Sequence, residues 1–210
     1  MTRKLAILGA SGHGKVVADM ALAAGWRAVV FFDDAWPTVS VNGRWSVTGD
    51  DSKLHSRIVE FDGVIVAIGN CAVRWQKQLD LIAAGGKFAT LVHPWACVSS
   101  YAQLGAGTVV MAGAVINVDA LIGESCIVNT GATVDHDCVL ANGVHISPGA
   151  RLSGNVEIGA CSWIGAGAVI RQGIRIGAGV TVGAGAVVVK SVIDNITVVG
   201  NPAKSLPIHN

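Results

Sequence analysis

Counting by six from Val92 meets an aliphatic residue at every step. The series runs Val92, Val98, Leu104, Val110, Ile116, Ile122, Val128, Val134, Leu140, Ile146, Leu152, Ile158, Ile164, Ile170, Ile176, Val182 and Val188. Four residues after each stands a mostly small one, such as Ala96, Ala102, Thr108, Ala114, Ala120, Cys126, Ala132 and Cys138. A helix repeats its apolar face at 3.6 residues and a half-buried strand at 2, so neither accounts for a period of six. The pattern predicts a parallel β-helix of hexapeptide repeats. Each hexapeptide supplies a short strand and a turn, and three of them close one coil of a prism. The aliphatic residue points inward and the small residue fits where the chain turns a corner. Glycine directly after the aliphatic residue, as in Ile158-Gly159, Ile164-Gly165, Ile176-Gly177 and Val182-Gly183, is expected to give the corner its backbone freedom. Residues 92–199 hold 108 positions, enough for six 18-residue coils with imperfect ends.

The first 91 residues alternate differently. Apolar runs at Lys4–Leu8, Ala28–Phe32 and Val64–Ile68 read as strands, Gly14–Ala24 and Arg74–Ala84 as helices, and Phe88–Val92 as a strand leading into the prism. This β-α-β alternation predicts a small parallel sheet covered by helices, an α/β Rossmann-like unit. The chain is therefore read as two domains, 1–91 and 92–210, hinged near His93-Pro94.

Charge changes the picture in one respect. Of 29 charged residues, 18 fall in the first 91 positions and only ten in 92–199. Such a sparse exterior predicts that a prism face is covered by other copies of the chain. A formal net charge of +1 without a basic cluster argues against nucleic acid. No apolar stretch is long and uninterrupted enough to predict a membrane span. The N-terminus MTRKLAILGASGHGK carries no signal-peptide pattern, and the five cysteines lack CxxC spacing. Reduced thiols in a cytoplasmic protein are the expectation. Cys126 and Cys138 fall at small corner positions and read as packing.

Candidate chemistry lies in two places. The loop Gly9-Ala-Ser-Gly12-His13-Gly14-Lys15 joins the first strand to the first helix. Its glycines either let backbone N–H groups approach a phosphate at the helix N-terminus or merely shape a tight turn. Val16 stands where a P-loop needs Ser or Thr, which argues against an NTPase, and the glycines run G-x-x-G-x-G rather than the dinucleotide pattern. Asp33, ending the second strand, is placed to meet a ribose or base edge. The second place is Asn129-Thr-Gly-Ala-Thr-Val-Asp135-His136-Asp137-Cys138. His136 is two residues past Val134 and so points out of the prism. Eighteen residues on stands Gly154, which is expected to leave room beside the imidazole for a thioester. A histidine of ordinary pKa suits proton removal from an attacking amine or hydroxyl, and Asp137 is placed to orient the ring.

The strand–GASGHGK–helix start, FFDD, AIGN, the hexapeptide prism and the ending VVGNPAK together resemble one family across residues 3–204. It is the bacterial sugar O-acyltransferases of the sialic-acid O-acetyltransferase type, which include UDP-4-amino-sugar N-acetyltransferases. The resemblance implies a left-handed β-helix, a homotrimer, acetyl-CoA as donor and a nucleotide-sugar acceptor held by the N-terminal unit. It implies no metal. By the same resemblance Ser11, Gly12, His13, Asp33, Asp34, Gly69 and Asn70 line the nucleotide pocket, and Asn129 reaches the acceptor sugar. His145 contacts the thioester or is a plain turn residue. Gly154, Ala166, Ala184 and the tail Asn201-Pro202-Ala203-Lys204 flank CoA, and Lys190 or Lys204 meets its phosphates or is simply solvated charge. Family members more often place Glu where this chain has Asp137.

The implied function is acetyl-CoA-dependent N-acetylation of a UDP-linked 4-amino sugar in bacterial glycan biosynthesis, by direct transfer with His136 as general base. The alternative is O-acetylation of sialic acid or another sugar hydroxyl, which His136 serves equally. A non-catalytic nucleotide-sugar-binding module is a further rival. A zinc hydrolase on such a prism needs H-x4-H, but the fifth residue after His136 is Ala141.

Overall fold

The computed structural model describes residues 3–206. The chain divides into two compact units, Met1–Pro94 and Trp95–Asn210.

In the first unit, β1 (Lys4–Leu8) leads through the glycine loop into α1 (Gly12–Ala23) and then β2 (Ala28–Phe32). A hairpin of β3 (Val41–Asn42) and β4 (Trp45–Ser46) follows, then α2 (Asp51–Arg57), β5 (Gly63–Val66) and α3 (Cys71–Ala83). The sheet is parallel in the order β2-β1-β5, with single bridges at Val47 and Phe88 extending its two edges. Leu5, Ala6, Ile7 and Leu8 are all buried, as a central strand covered on both faces requires. One core cluster joins Ala6, Leu8, Phe32, Val64 and Val66 of the sheet to Leu54 and Leu81 of the helices.

Both expected helices begin earlier than their apolar pattern does. The third helix starts at Cys71 because the Asn70 side chain caps it, its Oδ1 accepting the Val73 N–H at 3.0 Å. Such a cap contributes about 1 kcal/mol. The hairpin and α2 were not expected from the sequence. They are short, and α2 is held by the Asp50 cap on the Lys53 N–H at 2.8 Å. The expected strand over 88–92 shrinks to a bridge at Phe88 and the pair Leu91–Val92.

The second unit is the expected solenoid. All but one of its strands are two residues long, and the internal ones pair in parallel with strands 18 residues before and after. Val115–Ile116 lies between Cys97–Val98 and Thr133–Val134, for example. One sheet holds six such strands, one per coil. From Val110 to Val188 every sixth aliphatic residue is at most 4 % exposed. The small residues four places on, including Ala114, Ala120, Cys126, Ala132 and Cys138, are buried as well.

Two details differ from the sequence reading. The left-handed corner residue stands three places after the aliphatic one, not one. Gly113, Asp119, Ser125, Gly131, Asp137, Gly143, Gly149 and Asn155 all have φ between 55° and 72°. Glycines directly after the aliphatic residue serve closeness between coils instead. A Cβ on Gly165 would fall 2.5 Å from the Val182 carbonyl oxygen and 2.7 Å from the Ala184 nitrogen. The period also breaks at the end: Ile176 pairs with Val192 and Thr181 with Thr197, sixteen residues apart. The strand Lys204–Ser205 then folds back antiparallel onto Val198–Val199.

Candidate active site

His136 sits on the corner after the strand Thr133–Val134, its side chain 55 % exposed. Its Nδ1 lies 2.7 Å from Oδ2 of Asp137. A carboxylate only accepts hydrogen bonds, so Nδ1 carries the proton and the neutral ring presents its lone pair on Nε2. The hydrogen bond to Asp137 raises the imidazole pKa above its ordinary value, aided by the charges of Asp135 and Asp137. Asp137 is itself the left-handed corner residue, at φ 59°. Asp tolerates that conformation better than most side chains, so one residue both turns the chain and orients the imidazole.

Gly154 lies in the next coil, beneath the ring. A Cβ there would stand 2.5 Å from both Cε1 and Nε2 of His136. The space that Gly154 was expected to leave for a thioester is thus occupied by the imidazole, because successive coils stack too closely to leave a gap. The glycine is what allows the ring to lie there.

Asn129 and His145 form a separate pair. Asn129 Oδ1 accepts the Thr130 N–H at 2.8 Å, so its Nδ2 faces His145 Nε2, 3.2 Å away. In that arrangement His145 accepts at Nε2 and carries its proton on Nδ1. Its ring is stacked on Trp163 at 6.0 Å and 11°, and Trp163 Nε1 donates to Ser147 Oγ at 2.5 Å. His145 is therefore more than a turn residue: it belongs to a packed polar cluster on the outer face of one sheet.

The remaining residues assigned to acyl-CoA divide between two prism edges. Gly154 and Lys190 follow strands of the same sheet as His136 and share its edge. Ala166 and Ala184 follow the strands Trp163–Ile164 and Thr181–Val182, on the edge that also carries Thr130. That second edge is built of exposed small residues, and a Cβ on Gly167 or Gly185 would meet nothing within 4 Å. This leaves an open strip of small residues along that edge. Lys204 is exposed in the antiparallel end strand. Cys126 and Cys138 are buried, with thiols directed at the Ala141 and Ser153 carbonyls, and burial raises the Cys138 pKa. Neither is placed to act as a nucleophile. Among the described residues no group of three or more His, Cys, Asp or Glu could hold a metal ion.

In the first unit the parallel order β2-β1-β5 gathers three loops at the carboxyl ends of adjacent strands, where open α/β sheets take their ligands. The loops carry Ser11-Gly12-His13, Asp33-Asp34 and Gly69-Asn70. Both oxygens of Asp33 hold the chain's own backbone, at Ala10 N (2.7 Å) and Ala35 N (2.9 Å), so this carboxylate first shapes the glycine loop. Asp34 Oδ1 accepts the Asp51 N–H at 3.2 Å. Gly9 shapes the turn, and Gly14 lies in the first turn of α1 where the chain passes close to it. Gly9 has φ 111°, and a Cβ on Gly14 would strike the Gly9 carbonyl oxygen. Gly12 and Gly69 differ, since a Cβ on either meets nothing within 4 Å and neither has positive φ. Nothing in the unit itself demands glycine at these two positions, whereas close approach of a ligand to the backbone does. Ser11 begins α1 without a side-chain capping bond. His13 is held neutral, its pKa lowered to about 4 by burial and by the nearby Arg74 charge, and its buried Nε2 has no partner.

Sequence reasoning missed Arg74, which is 1 % exposed and donates to the Ile68 and Gly69 carbonyls at 2.9 and 3.1 Å. It also missed Asn117, whose contact with Asp135 the 18-residue period itself could have revealed.

Comparison with known proteins agrees with this geometry. Residues 4–81 match the PglD N-terminal domain family, and residues 155–190 match the bacterial transferase hexapeptide (six repeats). The acetyltransferase domain of PglB from Neisseria gonorrhoeae FA1090, solved in complex with acetyl coenzyme A, is 49 % identical. The match covers 98 % of this chain and 100 % of that one, with a TM-score of 0.93. The chain belongs to the sugar acyltransferase family that includes UDP-4-amino-sugar N-acetyltransferases. A second structure of the same kind is a histidine-to-asparagine mutant of perosamine N-acetyltransferase from Caulobacter crescentus, in complex with CoA and GDP-perosamine. It is 37 % identical over 99 % of this chain and 98 % of that one, with a TM-score of 0.94. UDP-N-acetylbacillosamine N-acetyltransferase of Bacillus subtilis (strain 168) is 40 % identical over 113 residues, 52 % of each chain. The match spans about half the length of that curated relative.

Proposed function

We propose that the protein is an acetyl-CoA-dependent N-acetyltransferase of a UDP-linked 4-amino sugar in bacterial glycan biosynthesis, acting as a cytoplasmic homotrimer. The observation that carries this reading is the His136–Asp137 pair at 2.7 Å, which leaves the lone pair on Nε2 of a side chain that is 55 % exposed. Relatives named for UDP- and GDP-linked amino sugars support the acceptor class.

His136 Nε2 takes the proton from the acceptor amine as nitrogen attacks, and Asp137 stabilises the imidazolium that forms. Acetyl-CoA supplies an acyl group already activated as a thioester. The tetrahedral intermediate collapses with cleavage of its C–S bond, and CoA leaves as the thiol, taking the proton back from the imidazolium. Transfer is direct in this reading: Cys126 and Cys138, the cysteines nearest His136 in sequence, are buried with their thiols on backbone carbonyls. Residues 11–13, 33–34 and 69–70 hold the nucleotide. Gly12 and Gly69 allow close backbone approach, and the unpaired first N–H groups of α1 receive phosphate. The residues for acyl-CoA sit on two different edges of one prism, so a groove using both needs neighbouring prisms. Exposed Leu121 and Val139 on the outer face of the solenoid suit such packing.

The test is CoA release from acetyl-CoA against UDP-4-amino sugars, GDP-4-amino sugars and free sialic acid. The proposal expects fast turnover with the UDP-amino sugar and loss of it in His136→Ala. Preference for sialic acid would replace this reading with O-acetylation.

A further inference from the structure

Asp135, immediately before the base, has no part in the chemistry described so far, yet its carboxylate is the most firmly held group in the turn. Oδ1 accepts two hydrogen bonds, from the His136 backbone N–H at 2.8 Å and from Asn117 Nδ2 at 2.8 Å. Asn117 occupies the same station one coil earlier, in the register that pairs Ile116 with Val134. The Asn117 amide first, and the His136 N–H second, hold the Asp135 carboxyl below its usual range. It is therefore ionised wherever histidine titrates.

On the other side of the base, the Asp137 N–H is tied to the Val118 carbonyl at 3.3 Å, and its carboxylate to His136 Nδ1. The His136 carbonyl accepts the Asn155 N–H at 2.9 Å from the following coil. The imidazole thus stands on a backbone held from both neighbouring coils, between two carboxylates. The charges that act on it are those of Asp135 and Asp137. In the coil after, Ser153, Gly154 and Asn155 occupy the same corner, flanked by Arg151 and Glu157 on the strands paired with Thr133 and Val139.

We infer that Asp135, fixed by Asn117, is a positioning residue for the base: it holds the His136 backbone in place and adds a second negative charge that favours the imidazolium formed when the amine proton arrives. This rests on His136 being the base. The two roles separate experimentally. Asp135→Asn keeps an oxygen acceptor for the His136 N–H and removes the charge; Asp135→Ala removes both.

Titration of His136 by NMR in the ligand-free protein reads the charge directly, with the resonance assigned by its loss in His136→Gln. Removing a neighbouring negative charge lowers a histidine pKa, so Asp135→Asn is expected to titrate about half a pH unit lower than wild type. The acidic limb of kcat/KM should shift the same way, with KM for acetyl-CoA unchanged. Asp135→Ala should show that shift and also lose about tenfold in kcat, because the base is no longer held in place. Asn117→Ala should fall between wild type and Asp135→Ala. An unmoved His136 titration in Asp135→Asn, with thermal stability retained, would overturn the inference, as would equal kcat in wild type and Asp135→Ala. If the wild-type enzyme acylates no nucleotide-linked amino sugar, the proposed function fails, but the NMR titration still decides the role of Asp135.

Discussion

Gly154→Ala is the most revealing single substitution, because it replaces a hydrogen with a methyl group directly under the His136 ring. The new Cβ would stand 2.5 Å from Cε1 and Nε2 of His136, where ordinary contact begins at 3.4 Å. The ring must therefore retreat by about 0.9 Å, the difference between those distances. It is free to do so because the His136 side chain is 55 % exposed. Gly154 has no positive φ, so alanine brings no backbone strain. Gly154 is buried under the ring, but the atoms the new Cβ meets belong to the end of an exposed side chain that can move. Stability should therefore change by no more than about 1 kcal/mol. Catalysis should not be spared, since displacing a reacting group by about 1 Å costs on the order of a hundredfold. Steady-state kcat/KM, thermal melting and the same substitution in a His136→Ala background form the assay. The effects should be grossly non-additive, with Gly154→Ala costing nothing further once the imidazole is gone. Full activity in Gly154→Ala, or a hundredfold loss that persists without His136, would refute the reasoning.

Other outcomes follow from the same geometry. Ile146→Ala, at a fully buried position of the hexapeptide series, should lower unfolding free energy by roughly 2–5 kcal/mol in denaturant titration while leaving the secondary structure recognisable by circular dichroism. Because the His13 pKa is lowered to about 4 in the fold, the unfolded chain binds the extra proton first as pH falls below about 6.5. Stability should thus drop between those values by up to about 3 kcal/mol, and His13→Asn should abolish that part of the loss in melts at stepped pH. Gly69→Ala, whose Cβ meets open space, should melt like wild type yet bind UDP at least tenfold more weakly in calorimetry. Equal binding would remove Gly69 from the nucleotide site.

The solenoid was legible because its period is a one-dimensional signal. Every inward position from Val110 to Val188 is set by the same local rule, and the 18-residue register follows from it. What the period could not reveal is which glycine does which job. Gly165 and Gly149 look alike in sequence, yet one permits close stacking and the other a left-handed corner. The shortening after Val188 was also hidden, because Val192 and Thr197 pair sixteen rather than eighteen residues back. In the first unit, strands with continuous apolar runs were readable, whereas α2 and the hairpin depend on single polar contacts such as Asp50 on Lys53 N–H. At the site, the His136–Asp137 adjacency was readable directly. Arg74 was not, since burying a guanidinium against the Ile68 and Gly69 carbonyls leaves no trace in local spacing.

In the proposed reaction Nε2 of His136 deprotonates an amine for direct acetyl transfer. A single-turnover reaction with labelled acetyl-CoA and a UDP-4-amino sugar, quenched and resolved by mass spectrometry, reads this step. Label is expected on the sugar nitrogen only, formed at least a hundredfold more slowly by His136→Ala with acetyl-CoA binding unchanged. Label on a hydroxyl or on the protein, or wild-type speed without His136, would contradict it.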